Sequence, residues 1–222
     1  MENAHVPSPA YFAARRAEMV RSQLAARGIR DARVLAAMGE IPRERFVLPE
    51  LIDAAYDDCA LAIDCNQTIS QPYIVAAMTE LLRPLPTHRV LEVGAGSGYQ
   101  TAVLARLVSH VYAIEWHAPL VEQAARRLTE LNVQNVTFRC GDGTLGWPDQ
   151  APFDGILVAA GGPVVPDALR DQLAPGGRLV IPVGPLQDQA LVVITRTECG
   201  FETQEAMKCR FVKLVGENGW KP

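Results

Sequence analysis

The chain has 222 residues, of which 49% are hydrophobic and 21% are charged, a composition typical of an ordinary globular protein. No apolar run approaches the roughly 20 residues of a membrane-spanning helix, and the first ten residues lack the layout of a signal peptide, so we expect a cytoplasmic protein without membrane contact. The formal net charge of -4 argues against a nucleic-acid partner, because such binding depends on many Lys and Arg side chains.

Cysteine and histidine spacing indicates neither a disulfide framework nor a metal site. The five cysteines are odd in number and contain no CxxC pair, and the four histidines form no HxxxH pair. We therefore expect free thiols and no bound metal.

The first elements are helical. Apolar residues at helical spacing predict a helix over residues 11–27, which Gly28 ends. Asp31 is placed to cap a second, short helix, which Gly39 stops. Residues 41–66 lack a regular period and are predicted to be irregular.

A third helix is predicted after Pro72, where apolar residues again repeat at helical spacing. Ser70 stands just before it and is a candidate N-cap. The polar stretch 66–71 is then the segment that leads into this helix.

From Arg89 onward, apolar runs alternate with helical stretches, as in a parallel sheet whose crossovers are helices. The predicted strands are residues 89–93, 111–115, 136–139, 155–159 and 178–183. The predicted helices between them are residues 101–107, 119–131 and 166–173. The fold class is therefore α/β, with a doubly wound, mostly parallel, Rossmann-like sheet.

The end of the chain follows a different pattern. Residues 174–177, Ala-Pro-Gly-Gly, predict a firm turn before the last parallel strand. Residues 191–195 and 201–215 then predict an antiparallel strand pair. We expect one domain over residues 1–222, divided into an N-terminal helical extension (1–87), a cofactor-binding core (88–185) and C-terminal strands (186–222).

A glycine-rich turn follows the first predicted parallel strand. The glycines are Gly94, Gly96 and Gly98, and such a turn lets a ligand approach the backbone. A dinucleotide fingerprint would have glycine where this chain has Tyr99. Glu92 would repel a pyrophosphate but suits the cationic groups of S-adenosylmethionine, which this motif therefore favours. A plain strand-to-helix connection stays open as the alternative.

Two further carboxylates follow the next strands. Glu115 ends the second strand, where a carboxylate can accept hydrogen bonds from both ribose hydroxyls, although dinucleotide enzymes use the same feature. Asp142 lies in a Gly-Asp-Gly loop after the third strand. It is either a contact for the adenine amino group or an ordinary turn residue.

Several segments resemble the protein-L-isoaspartate O-methyltransferase family over nearly the whole chain. The most specific is residues 67–73, Gln-Thr-Ile-Ser-Gln-Pro-Tyr, which is similar to the substrate segment of the family. Residues 91–101, Leu-Glu-Val-Gly-Ala-Gly-Ser-Gly-Tyr-Gln-Thr, resemble its cofactor motif, and residues 141–143 its adenine loop. Residues 19–29, 41–47 and 151–154 resemble the family as well. Two departures are the run Ala-Ala-Gly-Gly at 159–162 and Lys213, where proline is usual.

The resemblance implies roles for named residues. Ser70 would be the active-site serine. The implied contacts of S-adenosylmethionine, and of its product S-adenosylhomocysteine, are Gly94, Gly96, Glu115 and Asp142. The glycine-rich turn and the Gly-Asp-Gly loop add Glu92, Gly98 and Gly143 as candidate cofactor contacts. The implied substrate contacts are Gln67, Thr68, Ile69, Arg210 and Val212.

The resemblance also implies the reaction, which is methylation of the free α-carboxylate of L-isoaspartyl residues in damaged proteins and peptides. The ester closes spontaneously to a succinimide, and this begins repair. A carboxylate with a pKa near 4 is already ionised at neutral pH, so no general base is needed.

Three alternatives remain open from the sequence. They are a methyltransferase of the same fold acting on a small molecule or RNA, a nicotinamide-dependent oxidoreductase, and a nucleotide-binding protein without activity. We expect a monomer that acts on isoaspartyl proteins and peptides.

Overall fold

The first helix begins where Ser8 caps it, its Oγ accepting the N–H of Tyr11 at 3.2 Å. A computed structural model describes residues 8–221 of the chain. The prediction that the first ten residues lack the layout of a signal peptide concerns mainly residues 1–7, which lie outside the described residues. Helix α1 spans Pro9–Glu18 and continues through a π-helical stretch, Met19–Leu24, and a 3-10 turn, Ala25–Arg27. Gly28 then ends it with φ 103°. The predicted helix is confirmed, although its hydrogen-bonding pattern changes along its length.

Helix α2 spans Ala32–Glu40, and Asp31 caps it by accepting the N–H of Arg33 at 2.9 Å, as predicted. The helix passes through Gly39 and ends one residue later than predicted. The region after it contains only 3-10 turns and the two-residue strand β1, Leu61–Ala62. Strand β2, Thr68–Ile69, pairs antiparallel with β1, a hairpin that the sequence did not predict.

Helix α3 spans Pro72–Leu82, with Gln71 at its N-cap position and no side chain capping it. The candidate N-cap role of Ser70 is therefore wrong. Because Pro72 occupies the first helical position, the cap falls on the residue directly before it.

Seven strands form the main sheet. They are β3 (Arg89–Val93), β4 (His110–Glu115), β5 (Val136–Cys140), β6 (Phe153–Val158), β7 (Leu173–Val183), β8 (Gln189–Thr197) and β9 (Gly200–Cys209). The helices between them are α4 (Tyr99–Ala105), α5 (Ala118–Glu130) and α6 (Asp167–Asp171). The strand order is β5-β4-β3-β6-β7-β8-β9. Strands β3 to β7 are parallel, and β8 and β9 are antiparallel, which confirms the predicted fold class.

The chain reverses its direction of winding between β3 and β6, which lie side by side at the centre of the sheet. From β3 it winds outward through β4 to β5, and from β6 it winds outward the other way. Loops therefore diverge beyond the carboxyl ends of β3 and β6, and a crevice opens there.

Both faces of the sheet are buried. Val90 and Leu157 pack toward α3 and α4 on one face, while Leu91 and Ile156 pack toward α6 on the other. This explains why the central strands are continuous apolar runs. No helix in residues 8–221 is both long and apolar enough to cross a membrane.

Two predictions for the C-terminal part are wrong. Residues 174–177 do not separate α6 from β7 but lie within β7. The register between β6 and β7 shifts there, since Phe153 pairs with Leu173 but Gly155 pairs with Arg178. The second strand of the antiparallel pair ends at Cys209, not at residue 215. The segment after it leaves the sheet edge and crosses back to the end of β6, where the Gly161 N–H donates to the Val212 carbonyl at 2.7 Å.

Glu92 is the only fully buried carboxylate side chain among the described residues, with 0% exposure and no hydrogen-bond partner for either oxygen. Burial raises the pKa of Glu92 to about 8; the Thr101 hydroxyl opposes this rise, and the charge of Glu115 adds to it. At neutral pH most of the molecules therefore carry a neutral Glu92.

Gly98 has φ 88°, and a Cβ placed there would lie 3.0 Å from the Ala124 Cβ on α5. We expect Gly98→Ala to lower the free energy of unfolding by about 2–4 kcal/mol, through backbone strain plus crowding. Gly176→Ala is the matched control, because Gly176 has φ 76° with open space around it. It should cost only the backbone term, about 1–2 kcal/mol. If denaturant titrations show that the two variants lose the same free energy of unfolding, crowding at Gly98 is ruled out.

We expect Glu92→Gln to become more stable relative to the unmodified chain as pH rises. Folding holds the proton on Glu92, whereas the unfolded chain releases it above its ordinary pKa of 4.5. The unmodified chain therefore loses up to about 1.4 kcal/mol per pH unit until the pH reaches about 8. Urea titrations at pH 5 and pH 7 measure the difference, and Glu202→Gln on the exposed edge strand β9 is the control. A stability difference that does not change with pH would rule this out.

Candidate active site

The glycine-rich turn joins β3 to α4 at the centre of the sheet. Gly94 has φ 87° and Gly96 has φ 54°, backbone conformations that favour glycine. The N–H groups of Gly94 and Ala95 donate to the Ile114 carbonyl of β4 at 2.8 and 3.2 Å. The turn is thus fixed to the neighbouring strand, and its two glycines face the crevice.

The Glu115 carboxylate lies at the end of β4, is 5% exposed and faces the same crevice. Its Oε2 accepts the Gly96 N–H and its Oε1 accepts the His117 N–H, each at 2.9 Å. An ionised carboxylate has about four acceptor positions, so two remain for a ligand.

A cleft open to solvent occupies the crevice. Its walls come from the glycine turn, the ends of β4, β5 and β6, the segment before α3, and the C-terminal segment. Predicted cofactor residues that line it are Gly94, Gly96, Glu115 and Gly143. Glu92 and Gly98 do not line it, because Glu92 is buried inside the sheet and Gly98 faces α5.

Asp142 caps the loop after β5 and also holds the C-terminal segment. Its Oδ1 accepts the Thr144 N–H at 2.8 Å, and its Oδ2 accepts the Glu217 N–H at 2.7 Å. It is not among the residues lining the cleft, whereas Gly143 is. These contacts are those of a turn residue; an adenine contact through Asp142 stays a prediction.

A groove opens from the cleft toward β9. Its inner part is lined by Ser70, Thr68, Ala159, Arg210 and Val212, together with neighbours from α3 and the end of β9. Its outer part passes Leu186 and Gln187. Thr68 and Val212 line the cleft as well as both parts of the groove, and Ala159 lines the cleft and the inner part.

The predicted substrate residues divide between these spaces. Thr68, Arg210 and Val212 line the groove, Gln67 lines the cleft, and Ile69 is buried at 3% exposure. Ser70 lies in the inner groove and in a small pocket beneath the glycine turn. The structure thus brings the predicted serine to the junction of groove and cleft.

Sequence reasoning missed two residues of this site. Trp116 lines the cleft and is 42% exposed, and its only sequence signal is its position directly after Glu115. Gln189 is 1% exposed, and its Oε1 accepts the Phe211 N–H at 2.7 Å, which fixes the groove wall. No local pattern marks this glutamine, because its partner is 22 residues away.

Metal ligands are not clustered in the described part of the chain. Within residues 8–221 no group of three or more His, Cys, Asp and Glu side chains is placed to hold a metal ion.

The sequence matches the family described as protein-L-isoaspartate(D-aspartate) O-methyltransferase over residues 14–219. Two relatives carry the name protein-L-isoaspartate O-methyltransferase. The one from Desulfosudis oleivorans is 48% identical over 221 residues, covering 100% of this chain and 98% of the relative. The one from Geobacter metallireducens is 52% identical over 206 residues, covering 92% of this chain and 95% of the relative.

Solved structures agree in fold. A protein-L-isoaspartate O-methyltransferase superimposes with a TM-score of 0.81 at 31% identity, covering 91% of this chain and 67% of that one. A Plasmodium falciparum protein described as a putative protein-L-isoaspartate O-methyltransferase, in complex with S-adenosyl-L-homocysteine, has a TM-score of 0.78 at 24% identity. It covers 90% of this chain and 98% of its own length. The resemblance predicted from the sequence segments is confirmed, and the chain belongs to the protein-L-isoaspartate(D-aspartate) O-methyltransferase family.

Proposed function

We propose that this chain methylates the free α-carboxylate of L-isoaspartyl residues with S-adenosylmethionine as methyl donor, and that Ser70 holds that carboxylate. The observation that carries the proposal is the junction described above. The groove that leads toward β9 shares Thr68 and Ala159 with the cleft, and Ser70 lines the groove at this point. Such a junction is what transfer between a peptide and a small donor requires.

The residues of the cleft fit the donor. Glu115 would accept hydrogen bonds from the ribose hydroxyls with its two remaining acceptor positions. Gly94 and Gly96 would let the donor lie against the backbone, and Gly143 would do so near the adenine.

The reacting carboxylate needs no base, because it is ionised at neutral pH. When bound, S-adenosylmethionine supplies a sulfonium methyl that the carboxylate oxygen takes as the carbon–sulfur bond breaks, the electron pair staying on sulfur. The chain itself must hold the oxygen in line and exclude water, which raises the rate of a weak nucleophile. The Ser70 hydroxyl would donate to one carboxylate oxygen and leave the other free to react.

Selectivity for isoaspartyl over aspartyl residues would come from the main chain. Both residues carry a carboxylate, so charge does not distinguish them. The segment after β9 runs along the groove through Arg210 and Val212, outside the sheet. The Val212 carbonyl already accepts the Gly161 N–H, but the Val212 N–H forms no hydrogen bond within residues 8–221 and would pair with an extended peptide. The kinked backbone of that peptide at isoaspartate would set the fit.

The substrates in this proposal are damaged proteins and peptides, and the enzyme acts as a cytoplasmic monomer. The net charge of -4 supports a protein substrate over a nucleic acid.

The test of the proposal is a pair of synthetic peptides of one sequence that contain either isoaspartate or aspartate. With labelled S-adenosylmethionine, we expect kcat/KM to be at least about 100-fold higher for the isoaspartyl peptide. This is at or above the upper end of the discrimination that a pocket achieves from a difference of one methylene group. A chain preincubated with S-adenosylhomocysteine is the control, and it should be inhibited. Equal rates on the two peptides would refute the proposal.

Ser70 gives a second test. We expect Ser70→Ala to lower the methylation rate by about 10- to 150-fold, the effect of losing one hydrogen bond to a charged group. Stability and S-adenosylmethionine affinity should stay unchanged, because Gln71 occupies the N-cap position of α3 and Ser70 does not line the cleft. Single-turnover rates, thermal melts and calorimetry measure the three quantities.

Two variants control the Ser70 experiment. Ser70→Thr keeps the hydroxyl and should restore part of the rate. Ser22→Ala removes an exposed serine hydroxyl that bonds only the Glu18 carbonyl, and it should leave turnover as it was. If Ser70→Ala methylates isoaspartyl peptide at the unmodified rate, the role of Ser70 is lost.

A further inference from the structure

The walls of the groove carry cationic side chains and no acidic ones. Lys208 and Arg210 line its inner part, and Arg210 and Lys213 line its outer part. Among the described residues, no Asp or Glu lines either part. The protein as a whole is acidic, with a net charge of -4, so the groove differs in charge from the average of the chain.

Only two of these cations are free. The Lys208 Nζ lies 2.9 Å from Asp188 Oδ1, so its charge is already neutralised. Arg210 and Lys213 form no ion pair and no side-chain hydrogen bond within residues 8–221. Both side chains are accessible to solvent and to a ligand.

One further carboxylate touches the groove lining. Asp58 accepts a hydrogen bond from Gln71 Nε2 at 2.8 Å, and Gln71 lines the inner groove. Arg27 pairs with the same Asp58 at 2.8 Å. The acidic groups in contact with the groove lining are thus each matched by a cation, and Arg210 and Lys213 leave the groove with a net positive charge.

We propose that Arg210 and Lys213 select isoaspartyl substrates that carry an acidic side chain close to the isoaspartyl residue. The proposal rests on the proposed function and adds a substrate preference to it. Lys213 lines the outer groove and the cleft but not the inner part that contains Ser70, and Arg210 lines both parts of the groove, so the outer part is where the two cations act together. In the outer part a cation attracts an anion of the flanking chain without weakening the reacting carboxylate as a nucleophile.

The test uses three isoaspartyl peptides that differ only in the flanking residues, which are Glu, Gln or Lys at the adjacent and next positions. At low salt we expect kcat/KM to fall in the order Glu, Gln, Lys, by about two- to five-fold at each step, as for exposed ion pairs. In about 1 M salt, where the Debye length is about 3 Å, the order should flatten.

Variants assign the effect to residues. Lys213→Gln and Arg210→Gln should each reduce the ratio of kcat/KM for the Glu peptide to kcat/KM for the Lys peptide by about two- to five-fold. The double variant should bring this ratio near one. Lys221→Gln makes the same charge change at an exposed position away from the groove, and the ratio should stay as in the unmodified chain. Asp188→Asn frees Lys208 and should raise the ratio.

Affinity for S-adenosylhomocysteine is measured for every variant, because Lys213 also lines the cleft. Unchanged affinity together with a reduced ratio supports the proposal. Equal kcat/KM for the three peptides in the unmodified chain overturns it, and so does a Lys213→Gln variant that loses only cofactor affinity. If no isoaspartyl peptide is methylated, the proposed function fails, and this preference fails with it.

Discussion

The Glu115 carboxylate joins the end of β4 to the glycine-rich turn that leaves β3, and the site depends on this connection. Its two oxygens accept main-chain N–H groups from Gly96 and His117, each at 2.9 Å, in a position only 5% exposed. Each N–H would cost about 1–3 kcal/mol if it were buried without a partner, so the carboxylate fixes the turn as well as facing the cleft. A residue that we propose as a ligand contact is thereby also part of the scaffold.

The C-terminal segment closes the site from the other side. After Cys209 the chain leaves β9, and three polar contacts hold it against the sheet. The Phe211 N–H donates to Gln189 at 2.7 Å, the Glu217 N–H donates to Asp142 at 2.7 Å, and the Trp220 Nε1–H donates to the Gly161 carbonyl at 2.9 Å. Because one segment forms walls of both the cleft and the groove, a shift in it would alter both spaces together.

What the sequence predicted correctly depends on local pattern. Buried parallel strands are apolar runs and the turn has three glycines, so the sheet and the glycine-rich turn can both be predicted from short stretches of sequence. What it missed depends on distant partners. The strand predicted over 201–215 ends at Cys209, because the Gln189 side chain accepts the Phe211 N–H beyond it. Local sequence could not decide between the two roles considered for Asp142, because its partner Glu217 is 75 residues away. The bulge at 174–177 keeps turn residues inside a strand, which composition alone cannot distinguish from a connection.

Formal charges read from the sequence change meaning once burial is known. The sequence counts Glu92 as an anion, but Glu92 is buried away from the cleft and burial raises its pKa to about 8. Glu115 is the carboxylate that lines the cleft. The family reaction turns a carboxylate and a sulfonium into neutral products, so charge disappears toward the transition state. Water stabilises separated charges better than a dry site does, and a low-dielectric junction therefore favours the reaction. Thr68, Ala159 and Val212 line the junction. Of the two free cations, Arg210 lines both parts of the groove, and Lys213 lines the outer part and the cleft. Attraction of an acidic peptide by these two cations would therefore be strongest in the outer part of the groove, because both of them line it.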